Sequence, residues 1–115
     1  MAELDIKERQ AGDVTVLDMN GSIRMGEGSA ELRTAIRDLV TGGKKKILLN
    51  LAGVKYIDSS GIGELIASYT TVSKDGGQMK LLSLTEKVRD LLVITKLLTV
   101  FDSFESEAEA LSSFN

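Results

Sequence analysis

The chain has 115 residues, 43% of them apolar, with 14 Lys and Arg against 17 Asp and Glu for a net charge of -3. That length suits one domain over residues 1–115, with a core that needs no disulfide or metal. Cysteine and histidine are both absent, which removes thiol nucleophiles, imidazole acid–base chemistry and the usual structural zinc sites. The mild negative charge argues against direct nucleic-acid binding, which works by compensating phosphate charge. No run approaches the roughly 18 apolar residues of a membrane span, and the first ten residues carry no apolar signal core. A cytoplasmic protein with no membrane contact is therefore expected.

Leu4 to Lys7 alternates weakly and reads as a first strand, closed by a turn at Ala11-Gly12-Asp13. Val14 to Met19 is a second strand, with Val14, Val16 and Asp18 on one side and Leu17 and Met19 on the other. The two could form a hairpin. Asn20-Gly21-Ser22 reads as a break, and Ser22 to Ser29 as a loop. Ser29 to Val40 has helical period, with Leu32, Ala35, Ile36, Leu39 and Val40 on one face and Arg33, Arg37 and Asp38 outside. Ser29 is the expected cap and Gly42-Gly43 the stop.

Lys44-Lys45-Lys46 reads as the solvated start of a strand. Ile47 to Leu51, nearly all apolar, is the expected central strand, covered on both faces. A short connection, Ala52 to Ile57, is expected next. A helix follows from about Ser60 to Ser73, with Ile62, Leu65, Ile66, Tyr69 and Ser73 buried and Gly61, Glu64, Ala67 and Ser68 elsewhere. Asp75-Gly76-Gly77 ends it. Met79 to Leu84 is a further strand. Thr85 caps a third helix whose apolar face is Val88, Leu91 and Leu92. Thr99-Val100-Phe101 favours a short edge strand. Ser106 and Glu109 form a capping-box pattern for a last helix with Ala108, Leu111 and Phe114 inside. Met19 and Met79 fit the core. Tyr56 and Tyr69 read as packing residues, and Phe101 and Phe104 as pins for the last helix. Met25, in a loop, hints at a contact surface. Ser112 to Asn115 reads as a frayed end. The order is α/β: a small mixed sheet flanked by about four helices.

Between the central strand and the second helix lies Asp58-Ser59-Ser60-Gly61, at the place where α/β folds meet their ligands. Three readings compete. Aspartate and serine are preferred helix caps. A serine at a helix N-terminus could also carry a regulatory phosphate, whose charge the backbone N–H groups tolerate. Nucleophilic catalysis is the weakest, because no histidine is available as a base and only Lys44 or Lys55 could substitute. Gly61 and Gly63 lack the spacing of a phosphate-binding loop and read as keeping the helix start free of bulk, so that a partner can approach its backbone.

The segment Tyr56 to Gly63, Y-I-D-S-S-G-I-G, resembles the signature of bacterial anti-sigma factor antagonists, single-domain members of the STAS group. The resemblance extends over nearly the whole chain and implies a STAS (anti-sigma antagonist-like) fold. It implies a protein that binds a nucleotide-bound anti-sigma factor, itself a serine kinase, and so releases a sigma factor. The kinase would inactivate it by phosphorylation and a PP2C-type phosphatase would restore it. The chain would then be a substrate, not an enzyme, with no cofactor of its own and monomeric when free. Matched by position, the phosphoacceptor is Ser60, with Ser59 as the fallback. Asp58, Gly61, Ile62 and Gly63 are its surroundings. Asn20, Gly21, Ser22, Arg24 and Met25 match a loop that joins Asp58, Ser59 and Ser60 in the partner-binding face. The alternative is a STAS-type partner-switching or scaffold protein whose partner and output are not an anti-sigma factor and a sigma factor.

Overall fold

The computed structural model describes residues 3–114. Strands β1 (Leu4–Ala11) and β2 (Val14–Ile23) form the expected hairpin, turned at Gly12 with φ 65°. Helix α1 (Glu27–Thr41), strand β3 (Lys46–Ile57), helix α2 (Ser59–Lys74), strand β4 (Gln78–Leu82) and helix α3 (Glu86–Ile94) alternate after it. A 3₁₀ turn at Leu98–Val100, a two-residue strand β5 (Ser103–Phe104) and helix α4 (Glu107–Ser112) complete the chain. The sheet order is β1-β2-β3-β4-β5; β1 is antiparallel to β2 and every other pair is parallel.

Alternation along the strands divides the core. Leu17, Met19, Ile47, Leu49, Leu51, Met79 and Leu81 pack with α1, α2 and α3 on one face. Val14, Val16, Leu48 and Leu82 point the other way, where Ala110 of α4 and the rings of Phe104 and Phe114 cover them. β3 is thus covered on both faces, as its apolar run requires. Arg9 ties α4 to the hairpin, donating to Asp18 (2.7 Å) and Glu107 (2.6 Å). Both carboxyls are held below their usual range by that guanidinium.

Several sequence expectations change. β2 does not stop at Asn20-Gly21-Ser22: it continues to Ile23, with register shifts against β3 and Gly21 at φ 120°. A side chain at Gly21 would strike the backbone oxygen of Glu3, so the glycine makes an irregular strand and not a turn. Ser29 is no cap. Gly26 holds that position, and Ser29 lies buried inside α1, donating its hydroxyl to the Arg24 carbonyl (2.9 Å). Ala52 to Ile57 is no connection either, because β3 runs unbroken to Ile57. On α2, Val72 is buried and Ser73 exposed; Glu64 and Ser68 are buried too, because a second face of this helix packs on α1. Thr99-Val100-Phe101 is a turn leading inward, with the edge strand two residues later. Phe101 meets Tyr69 edge-on at 5.4 Å on the three-helix face, so only Phe104 serves α4. Ala110, not Ala108, is the inner residue of α4. The chain end to Phe114 is not frayed: the Lys80 ammonium binds the Ser113 carbonyl (2.9 Å) and hydroxyl (3.0 Å). Asn115 lies outside the described residues.

Candidate functional site

Asp58 is the joint of the site. Extended at φ -111°, it caps α2, and its carboxylate accepts from the Gly61 N–H at 2.8 Å. The second carboxylate oxygen accepts from the Met25 N–H at 3.1 Å. The carboxylate therefore fastens the β2–α1 loop to the start of α2, two segments far apart in sequence. The Gly61 N–H first, and then the Met25 N–H, hold the Asp58 carboxyl below the usual carboxylate range. Such charge-assisted bonds are stronger than neutral ones, and the helix N-terminus favours the same negative charge.

The two glycines differ in what they do. A Cβ on Gly61 would fall on the Ile23 carbonyl oxygen and 2.7 Å from Ile57 Cγ1. Gly61 therefore lets α2 rest directly on the ends of β2 and β3, which is internal packing and not room for a partner. Gly63 is exposed, with nothing within 4 Å of an added Cβ. Ile62 is buried in the core.

Ser59 and Ser60 occupy the first two helical positions of α2. Ser59 is exposed and Ser60 half-buried. Among the described residues no side-chain base is hydrogen-bonded to either hydroxyl. A groove of about 350 Å³ between α1 and α2, lined by Arg33, Arg37, Glu64 and Ser68 among others, reaches neither serine. The arrangement offers an accessible hydroxyl at a helix N-terminus without the base that would make it a nucleophile. Among the described residues no group of three or more carboxylates could hold a metal ion, and no helix is long and apolar enough to cross a membrane.

The structure brings only part of the matched loop to the signature. Arg24 and Met25 sit beside Asp58, and Met25 is 76% exposed. Ser22 pairs with Tyr56 of the signature between β2 and β3 but is buried, and its carbonyl lies against Gly28 of α1. Gly21 is half-buried, and exposed Asn20 lies beside Gly53, further back along the sheet. Sequence reasoning missed Tyr56. The residue is 52% exposed, and its ring centroid lies 4.5 Å from the Lys87 ammonium and 5.8 Å from the Arg24 guanidinium. Its position inside the signature was the available signal, overridden by the habit of tyrosines to pack.

Residues 5–110 match the STAS domain family. The anti-sigma-B factor antagonist of Bacillus subtilis is 29% identical over 104 residues, covering 87% of this chain and 82% of that protein. A Thermotoga maritima crystal structure, named as a candidate anti-sigma factor antagonist, superposes with a TM-score of 0.87 at 26% identity, covering 95% of this chain and 93% of the other. The Bacillus cell fate determinant SpoIIAA in its phosphorylated form has the same fold, with a TM-score of 0.73 at 18% identity, covering 94% of this chain and 97% of the other. A five-stranded mixed sheet, helices on both faces and the capped signature after β3 accompany a family match that spans nearly the whole chain, which is therefore a member of the STAS domain family.

Proposed function

We propose that this protein is an anti-sigma factor antagonist controlled by phosphorylation. In its unmodified form it binds a nucleotide-bound anti-sigma factor that is also a serine kinase, and thereby releases a sigma factor. The names of its relatives support the general role. The observation that carries the reading is the Asp58 bridge, which sets exposed Met25 beside an exposed serine hydroxyl on one face. A phosphate on that hydroxyl would add about -1.5 to -2 charges. The N-terminus of α2 would tolerate the charge and Asp58 would repel it, so the binding face would become more negative while the fold survived. A PP2C-type phosphatase would reverse the change.

Exposure favours Ser59 over Ser60 as the hydroxyl that a kinase reaches, which reverses the order expected from position in the signature. Peptide-level mass spectrometry of the protein from its own cells, with S59A and S60A in parallel, decides between them. A gain of about 80 Da that survives S60A and disappears in S59A is expected. S59D should weaken binding to the anti-sigma factor at least about tenfold, by like-charge repulsion and desolvation, with a native-like circular dichroism spectrum. Equal affinity of S59D and the unmodified chain would refute the switch. Stable assembly with a partner other than an anti-sigma factor would favour the scaffold alternative.

A further inference from the structure

β3 outruns its neighbour on one side. Its pairing with β4 ends at Asn50 and Leu82, whereas it continues alongside β2 to Ile57. Tyr56 sits on this overhang, so no β4 residue lies beside its ring. Lys87, in the first turn of α3, and Arg24, in the β2–α1 loop, each bring a cation over the ring. A cation over the face of a ring is attracted by the ring's quadrupole, which favours one orientation. The ring is therefore exposed and preorganised together, and Met25, the chain neighbour of Arg24, is exposed as well.

Among the described residues, one cation on this rim has no carboxylate at ion-pair distance. Arg24 is answered by Glu3 at 3.0 Å. The Asp58 carboxylate is occupied by two backbone N–H groups, and Glu27 accepts from the Glu3 N–H at 2.9 Å. Glu86 lies in the first turn of α3, where helix N–H groups suit it. The Lys87 ammonium has no carboxylate within ion-pair distance among the described residues, and its close partner is the face of Tyr56. Tyr, Met and Arg are the residue types enriched at the centres of protein interfaces.

We propose that Tyr56 and Lys87, with Arg24 and Met25, form a second contact of the binding face, which takes an acidic rim around an apolar pocket on the anti-sigma factor. The inference rests on the function proposed above and names the chemistry of its partner surface. Tyr56 and Met25 fill the pocket; Lys87 meets a carboxylate and steers the approach, as rim charges do.

The test measures binding of the full chain to its anti-sigma factor by calorimetry at about 50 and about 300 mM salt, a range over which screening changes strongly. K87E should weaken binding about tenfold at low salt and less at high salt, and K87Q should fall between K87E and the unmodified chain. Y56A should weaken it about thirtyfold. Should Y56A fail to fold, the two Lys87 variants decide, because that side chain is exposed. If the unmodified chain binds and K87E, K87Q and Y56A bind as tightly, the second contact is overturned while the proposed function stands. If the unmodified chain binds no anti-sigma factor, the proposed function fails and this contact with it.

Discussion

Removing the Asp58 carboxylate tests whether one side chain both caps α2 and fastens the loop. D58A deletes two charge-assisted bonds, at 2.8 Å to the Gly61 N–H and 3.1 Å to the Met25 N–H. Loss of an N-cap costs about 1 kcal/mol. The second bond adds about 1 kcal/mol after discounting for partial exposure, because water can replace the lost acceptor. The expected loss is about 2 kcal/mol, roughly 8 °C in melting temperature for a chain of this size. Urea unfolding followed by circular dichroism measures it. D58N separates charge from capping, since asparagine caps well, and should lose about half as much. The pH dependence has a fixed sign. The folded carboxyl is depressed, so its contribution is fully present above the unfolded value near about 3.9 and is lost as pH falls through the folded value. D58N should remove that part of the acid sensitivity. Amide exchange locates the effect: the Met25 and Gly61 N–H groups should exchange faster in D58A. A loss below about 0.5 kcal/mol with unchanged Met25 exchange would refute the bridge, because surface substitutions without a specific role fall in that range.

The two signature glycines should respond in opposite directions. G61A places a methyl on the Ile23 carbonyl and should cost about 2–3 kcal/mol by overpacking, whereas G63A, in open space within the first turns of α2, should gain about 0.5–1 kcal/mol of helix propensity. Chemical denaturation of both variants checks this, and a harmless G61A would show that α2 does not rest on β2 as described. On the opposite face, K80A should cost about 2 kcal/mol, because the stem packs in the interior and the ammonium holds the Ser113 carbonyl. K80M, which keeps the stem, should recover about half. Faster amide exchange confined to α4 in K80A would confirm that Lys80 anchors that helix.

Much of this architecture was legible because it rests on short-range physics. The alternation of Val14, Val16, Leu17 and Met19 divided the sheet faces correctly, since period two needs only a strand. The Thr85 and Ser106 caps were readable because a cap bonds an N–H three residues on: Val88 at 3.3 Å and Glu109 at 3.3 Å. The Asp-Ser-Ser-Gly cluster was placed at the start of a helix for the same reason. The burial of Glu64 was not legible. Its carboxylate is 8% exposed because α1 packs over it and supplies Arg33 at 2.8 Å, a partner 31 residues away that no local pattern announces.

The sequence by itself determined the order of the helices and longer strands and placed a cap within Asp58-Ser59-Ser60, because backbone preference and side-chain period act over a few residues. The tertiary structure decided what those elements present. β2 survives Gly21 because β1 and β3 hold it on both sides. Gly61 serves packing because α2 lands on the Ile23 carbonyl. Tyr56 faces solvent because β4 ends before β3 does. Each outcome depends on the meeting of segments distant along the chain, where contact geometry and competition for hydrogen bonds outweigh local preference.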